Sequence, residues 1–447
     1  MNIHFIAIGG AIMHNLAICL KNIGHNVTGS DDIIFDPAKS NLEKHGILPN
    51  KIGFFAENIN SNIDVIILGM HSKKDNIELL TAQEMGLKVY SFPEYIYEES
   101  KNKKRVVIAG SHGKTTTTAM VMHVLKSLDK KFDYLVGSSL AGFEHSVALT
   151  DAPIIILEGD EYLSSPIEMR SKFHFYKADI AVITGIAWDH INVFPTLDLY
   201  HKTFEEFIEN LAPTASLFWF EEDKVLQEIS KKAKCKVEAY GTPNFEIKNG
   251  ISYIKADKEY SLEIFGTHNL QNLEAARKVC NELEISNIDF YEAISTFAGT
   301  ARRLEKIENN NGLVAFKDFA HSPSKLEATV KAVSSQFEDK KLLACMELHT
   351  FSSTDPAFLI EFKDSMNSAE IAIIYMSEKA FEIKNKAEIS DKVIRDNFNN
   401  QDIKVFRTPE TLTNFLGEQN LSEYALLLMT SGNYDGVNWS EFLNKIK

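Results

Sequence analysis

Cysteine is scarce in this chain. The 447 residues hold four, Cys19, Cys235, Cys280 and Cys345, far apart and at no zinc-ligand spacing. They read as small apolar core residues in a reducing compartment, which points to the cytoplasm. Positive charge is also in short supply: 47 basic residues face 62 acidic ones, for a net charge of −15. That excludes a protein that coats nucleic acid with a basic face, but not one that holds an anionic ligand through local donors. No uncharged apolar run reaches membrane-spanning length. Met1-Asn2-Ile3-His4-Phe5-Ile6 does not read as the start of a signal peptide. Internal repeats and low-complexity blocks are absent. The 44% of hydrophobic residues is ample for full cores, and the length suggests about three domains.

The most telling stretch present is Val106-Val107-Ile108-Ala109-Gly110-Ser111-His112-Gly113-Lys114-Thr115-Thr116. A β-branched strand runs into a glycine turn and then a helix. Such a turn points several N–H groups at one anion, and the helix N-terminus adds its positive dipole end. Lys114 would reach the outer phosphates of a nucleotide, and the Thr115 hydroxyl would ligate a phosphate-bound Mg²⁺. Ile108 occupies the first glycine position of the longer phosphate-loop pattern, leaving G-x-x-G-K-T-T.

Strands alternating with helices predict an α/β protein with parallel sheets. Residues 3–9 and 64–69 read as buried strands, 11–23 as a helix, and Val27 to Asp32 as the end of another strand. The charged stretch 98–104 reads as a linker. A second unit opens with strand 105–109 and continues with strands 154–157 and 180–183. Its helix near 200–211 has Tyr200, Phe204, Phe207 and Leu211 at helical spacing, a core stripe. Residues 234–264 predict a small β element, and 269–283 a helix. After Gly299 the pattern resets, with strands 313–317, 341–346 and 424–429 and a helix over 323–337. The expected domains are 1–103, 104–300 and 301–447.

Several polar clusters follow these strands, where an open α/β sheet receives its ligands. In Leu157-Glu158-Gly159-Asp160-Glu161-Tyr162, Glu161 is the chosen Mg²⁺ ligand. Asp189-His190 follows the next strand, and His190 would be a second metal ligand or a proton carrier. Asn269 is either a helix cap or a reader of an adenine edge. Arg302-Arg303 could clamp a transferring phosphoryl group. Asp318-Phe319-Ala320-His321-Ser322-Pro323 should face a crevice. Gly9-Gly10 is a degenerate dinucleotide fingerprint.

Taken in order, these motifs resemble the Mur ligase family, the ATP-dependent amide ligases of peptidoglycan. The resemblance spans nearly the whole chain and includes Gly266-Thr267-His268-Asn269 and Arg302-Arg303-Leu304-Glu305. It implies three domains: an N-terminal Rossmann-like domain for the UDP-sugar, a central ATPase, and a C-terminal Rossmann-like domain for the amine. ATP would lie with Gly110, Ser111, His112, Gly113, Lys114, Thr115, Thr116, Asn269, Arg303 and Asp318. Mg²⁺ would be held by Thr115, Glu161 and His190. The UDP-sugar would meet Gly9, Gly10, Ala11, Ile12, Met13, Asp31 and His71. His321, His349 and Asn433, each after a predicted strand, would face the amine substrate.

Within the family, Ile12, Arg170-Ser171-Lys172-Phe173 and Ser431-Gly432-Asn433-Tyr434-Asp435-Gly436 are similar to the recycling branch, the murein peptide ligases. That branch attaches L-alanyl-γ-D-glutamyl-meso-diaminopimelate to UDP-N-acetylmuramate. The alternative is the branch that adds L-alanine. His14, Asn15, Gly185, Ala187, Ser322 and Glu347-Leu348-His349-Thr350 depart from the usual pattern. A nicotinamide-dependent oxidoreductase with a nucleotide-sensing module is the reading of another class. The expected partners are small molecules, with no nucleic acid and no membrane, and the expected state is a monomer or weak homodimer.

Overall fold

The computed structural model describes residues 1–138, 140–188, 193–300, 303–350, 353–377, 381 and 389–446. The chain forms two compact units. One comprises Met1–Thr242 with Gln271–Ile294, the other Pro243–Leu270 with Ser295–Lys447.

The first unit opens with β1 (Asn2–Ile6), α1 (Ala11–Asn22), β2 (Asn26–Ser30), α2 (Ala38–Lys44), β3 (Val65–Leu68), α3 (Ile77–Glu84), β4 (Val89–Ser91) and α4 (Phe92–Ser100). Its parallel sheet has the order β2-β1-β3-β4. The strand expected over 3–9 stops at Ile6, because Ala7 turns the chain with φ +65°. The stretch read as a linker is no free tether. Ser91 and Glu94 form a capping box that starts α4, and the helix runs to Ser100. Lys103 then anchors to Asp133 at 2.5 Å and to Thr150 O at 2.6 Å.

The same unit continues with β5 (Lys104–Ala109), α5 (Lys114–Ser127), β6 (Asp133–Leu135), β7 (Val147–Ala148), β8 (Ile154–Gly159), β9 (Ile180–Ile183), α6 (Leu197–Glu209), β10 (Ser216–Phe220), α7 (Lys224–Ile229) and β11 (Lys236–Tyr240). The sheet order is β11-β10-β9-β5-β8-β6-β7, parallel except for β7. β5 is central and its last four residues are buried, as both faces of a covered parallel sheet require. Tyr200, Phe204 and Phe207 of α6 are core residues, as their spacing predicts. Asn15 of α1 accepts the Ser146 N–H at 3.3 Å, so the first helix is tied to the strand beside it.

In the second unit, β12 (Phe245–Lys248), β13 (Ile251–Lys255) and β14 (Glu259–Leu262) form an antiparallel sheet. The β element expected over 234–264 is thus divided, since β11 belongs to the parallel sheet. Helix α8 spans Thr267–Glu282 and α9 Asn287–Ile294; α8 from Gln271 on and all of α9 belong to the first unit, and the second resumes at Ser295. Then come β15 (Glu305–Lys306), β16 (Val314–Asp318), α10 (Pro323–Gln336), β17 (Lys341–Glu347), β18 (Ile371–Tyr375), β19 (Lys404–Phe406) and β20 (Tyr424–Met429). The order is β15-β16-β20-β17-β18-β19, with only β15 antiparallel. Both units are therefore α/β with parallel sheets. No helix of the described residues is long and apolar enough to cross a membrane.

One buried acid fixes the first sheet. Glu78 of α3 is fully buried and accepts from the Ser30 hydroxyl, from Phe55 N at 3.0 Å and from Asn58 Nδ2 at 2.7 Å, with His4 Nε2 at 3.3 Å. Burial pushes its carboxyl up, but these partners outweigh burial and hold it below the ordinary value of 4.5. The stabilisation is therefore complete above that value and is lost as pH falls through the lower, folded-state pKa. Glu78→Gln should cost about 2–3 kcal/mol near neutral pH. In urea titrations the gap between wild type and variant should close as pH falls below the ordinary carboxylate range. A gap independent of pH would contradict this assignment.

Candidate active site

The phosphate loop joins the central strand β5 to α5, and its two neighbours in the sheet, β8 and β9, frame it. Two glycines make the turn. Gly110 takes φ +127°, and a Cβ there would stand 2.4 Å from Thr184 Oγ1. Gly113 takes φ +80°, and a Cβ would stand 2.2 Å from Asn272 Oδ1. Both positions exclude a side chain by backbone sign and by space. From the β9 side, Gly185 O accepts Ser111 N at 2.8 Å, and the Thr184 hydroxyl donates to His112 O.

From the β8 side come the acids. Lys114, the first residue of α5, lies 2.9 Å from Glu161 Oε2, and its Nζ donates to Gly110 O at 2.5 Å. Glu161 is fully buried. Burial would lower the Lys114 pKa, but Glu161, with Asp160 and Glu158 behind it, outweighs burial and raises it. The Thr115 hydroxyl donates to Glu158 Oε1 at 2.7 Å, and Glu158 Oε2 accepts Gly137 N at 2.9 Å. Glu161, expected with Thr115 at the Mg²⁺, is thus bonded to Lys114, whereas Glu158 is the acid bonded to the Thr115 hydroxyl. Its signal was the side-chain alternation of β8, which puts Glu158 last but one on the strand beside the loop.

A hydroxyl and a carboxylate oxygen 2.7 Å apart at a phosphate cradle suit Mg²⁺, which takes oxygen donors and keeps open positions for phosphate oxygens and water. Among the described residues no group of three or more His, Cys, Asp or Glu side chains is arranged to hold a metal by itself. His190 and Asp189 lie outside the described residues, as does Arg302.

The remaining expected residues fall in several places. Gly9 donates its N–H to Asp31 Oδ2 at 2.7 Å, which closes the first glycine turn on the end of β2. Burial raises the Asp31 pKa. Met13 is a core residue, so its side chain is not available to a ligand, whereas Ala11 and His71 are exposed and Ile12 is half-buried. In the second unit, Asn269 lies inside the first turn of α8 rather than at its cap, and its Nδ2 donates to Phe265 O at 2.9 Å. Arg303 covers the Phe319 ring at 5.3 Å. Burial, with Arg303 adding to it, lowers the neighbouring His268 pKa to about 4, so that histidine is neutral at physiological pH. Asp318 is buried and accepts Leu304 N and Ala320 N, each at 2.7 Å, so its carboxylate ties the segment before β15 to the loop after β16.

Of the residues expected at the amine, His349 lies 3.7 Å from buried Glu347, and a Cβ at Gly432 would stand 2.8 Å from each of them. That brings exposed Asn433 next to them in the chain. His321 turns to its own loop, with Nδ1 2.7 Å from Phe319 O. Sequence reasoning missed the braces beneath this loop. Glu347 accepts the Thr430 hydroxyl and Tyr434 N, and Asp435 accepts Tyr375 OH at 2.6 Å and Ser377 Oγ at 2.8 Å.

Two family models match the chain, Mur ligase family, catalytic domain, over residues 2–104 and Mur ligase middle domain over 108–280. The UDP-N-acetylmuramate–L-alanine ligase of Caldicellulosiruptor bescii is 31% identical over 388 residues, covering 83% of this chain and 82% of its own. Among solved structures, the murein peptide ligase of Psychrobacter arcticus aligns with TM-score 0.64 and 21% identity, covering 100% of this chain and 99% of its own. The UDP-N-acetylmuramate–alanine ligase of Thermotoga maritima aligns with TM-score 0.69 and 22% identity over 97% and 96%. These relatives set the oxidoreductase alternative aside.

The two acids have different partners, and a division of labour between them is testable. Glu158→Gln should raise the Mg²⁺ concentration needed for half-maximal rate by roughly tenfold or more, as loss of a direct charged ligand does. Glu161→Gln should alter the metal curve less and weaken nucleotide binding through Lys114. Metal titrations of the two variants showing the reverse order would return the Mg²⁺ ligand to Glu161.

Proposed function

The chain belongs to the Mur ligase family, ATP-dependent amide-forming ligases of peptidoglycan synthesis that use Mg²⁺, and on that premise we propose that it joins L-alanyl-γ-D-glutamyl-meso-diaminopimelate to UDP-N-acetylmuramate. The carrying observation is the set of paired groups at the phosphate loop, Lys114 with Glu161 and Thr115 with Glu158. The donor assignment rests on Ile12, the 170–173 segment and the 431–436 loop.

In the proposed reaction the lactyl carboxylate attacks the γ-phosphorus of ATP, giving an acyl phosphate and ADP. The donor amine then attacks the acyl carbon, phosphate leaves, and the amine proton passes to solvent or base. Such a phosphoryl transfer needs alignment and charge neutralisation more than covalent help. Lys114 neutralises the outer phosphates, and the N-terminus of α5 faces them, while the Ser111 N–H stays with Gly185 O. Thr115 and Glu158 would hold Mg²⁺, which supplies charge at the phosphate oxygens. Glu161 keeps Lys114 aimed into the turn when no nucleotide is bound. His190 is proposed as a ligand of a second cation on the carboxylate side, and Arg303 as a contact to the nucleotide. Ala11, Ile12 and His71 are the proposed contacts of the first glycine turn to the UDP-sugar.

Lys114→Ala should lower turnover roughly 10²-fold or more, at about 1.4 kcal/mol per tenfold, while the protein stays folded. Near-normal ATP-dependent amide formation by this variant would remove the ligase assignment. A second reading, L-alanine as the donor, draws support from the relatives named as L-alanine ligases. Equal concentrations of tripeptide and L-alanine, offered together with ATP and UDP-N-acetylmuramate, decide between them when products are resolved by mass. The tripeptide product should dominate. Predominant muramoyl-alanine would replace the tripeptide reading and leave the phosphate-loop roles as they are.

A further inference from the structure

The acidic segment after β8 contains a third pairing, beside the two that serve the phosphate loop. Asp160 Oδ2 receives Lys172 Nζ at 2.5 Å. The chain between them folds back through the Leu163–Ser171 bridge, and Lys172 N donates to Tyr162 O at 2.9 Å. The ammonium stands 5.5 Å from the centre of the Phe92 ring and 5.6 Å from that of Tyr162. Phe92 is the first residue of α4, beyond β4 of the N-terminal sheet. Tyr162 directly follows Glu161, the partner of Lys114. Lys172 therefore stands between the N-terminal layer and the phosphate-loop layer of one compact unit.

Three features mark it as more than a strut. The lysine is 12% exposed but its aspartate is 39% exposed, so the cation is the enclosed partner and the anion the replaceable one. Ring faces on either side favour a cation there and exclude water. Beneath the pair, the Tyr176 hydroxyl is fully buried with no partner among the described residues. Burial and the nearby charges of Asp160 and Glu158 together raise its pKa. Glu158 is engaged by Thr115 and Glu161 by Lys114, which leaves the Asp160–Lys172 pair without a role in phosphate binding.

We propose that Lys172 receives the carboxylate that is to be activated, exchanging Asp160 for the lactyl carboxylate of the nucleotide sugar. This rests on the activity proposed above. An anionic nucleophile brought beside a triphosphate meets like-charge repulsion, and a cation fixed at its oxygen offsets that cost while aiming it. The exchange conserves charge, because one carboxylate leaves the ammonium and another takes its place.

The test uses two ligands that differ only by the lactyl ether, UDP-N-acetylmuramate and UDP-N-acetylglucosamine, titrated calorimetrically into the full chain. Wild type should prefer the first. Lys172→Met should weaken UDP-N-acetylmuramate binding roughly 10- to 100-fold and leave UDP-N-acetylglucosamine unchanged, the loss expected for one charge-assisted contact. Lys172→Arg should recover most of the preference. Asp160→Asn separates the roles, since freeing Lys172 from its internal anion should leave muramate binding as tight or tighter. Equal losses for both sugars, no loss for either, or an Asp160→Asn defect matching Lys172→Met would overturn the inference while the ligase reading stands. A wild type that does not distinguish the two sugars would instead remove the proposed acid substrate, and this inference with it.

Discussion

A lysine at the first position of a helix faces the positive end of the helix dipole and, when enclosed, loses its water as well. Lys114 is in that position, with its side chain 15% exposed. It stays charged because Glu161 is fully buried 2.9 Å away. That requirement dictates much of the first unit. The strand that delivers Glu161 must lie directly beside the strand that delivers the loop, and β8 pairs with β5 along its whole length. The same register sets Glu158 against Thr115. On the other flank, β9 brings Thr184 and Gly185 against the turn, close enough that Gly110 can carry no side chain. Three adjacent parallel strands thus end at one place, and each contributes polar groups to it.

The second unit spends its strand-end carboxylates differently. Asp318 at the end of β16 and Glu347 at the end of β17 are buried and hold backbone N–H groups of the loops at that end of the sheet, Leu304 and Ala320 for the first and Tyr434, after β20, for the second. They fix those loops, and neither is left as a solvated anion at the sheet edge. The groups offered outward are His349, Asn433 and the loop around Gly432. A donor with several carboxylates requires hydrogen-bond donors at its site. Bracing the acids inward makes this edge compatible with such a donor, since unbraced carboxylates there would repel it.

Long apolar strands and the glycine turn were legible from sequence, because each is governed by local rules: continuous burial for β5, β8, β9 and β20, and positive backbone angles for Gly110 and Gly113. Pairwise matching was less legible. That Lys114 takes Glu161 while Thr115 takes Glu158 depends on the register of two strands more than forty residues apart, and both acids fit the same motif on paper. Met13 lies in a glycine-loop motif but faces the core, which the helical phase of α1 decides. Asn269 sits one turn deeper in its helix than a cap, since α8 begins at Thr267. The 98–104 stretch looked like a tether because it is charged, but the capping box at Ser91 and the Lys103–Asp133 pair are contacts that composition does not report.

Charge accounting around the phosphate loop explains how so acidic a chain handles anionic substrates. Glu158, Asp160 and Glu161 stand against Lys114 and Lys172, so the ligand-free cluster carries one more negative than positive group. By itself that would repel a nucleotide. In the proposed site, a divalent cation at Thr115 and Glu158 would turn the local balance positive and bring Lys114 and the helix end into play as phosphate donors. Binding of metal and nucleotide would then be linked, each making the other more favourable. Net charge far from the site works in the opposite sense, because a chain at −15 slows the approach of anions and does not steer them. Affinity must therefore come from short-range pairs in an enclosed turn, where the effective dielectric is low and a single displaced carboxylate counts for more than the field of the whole surface.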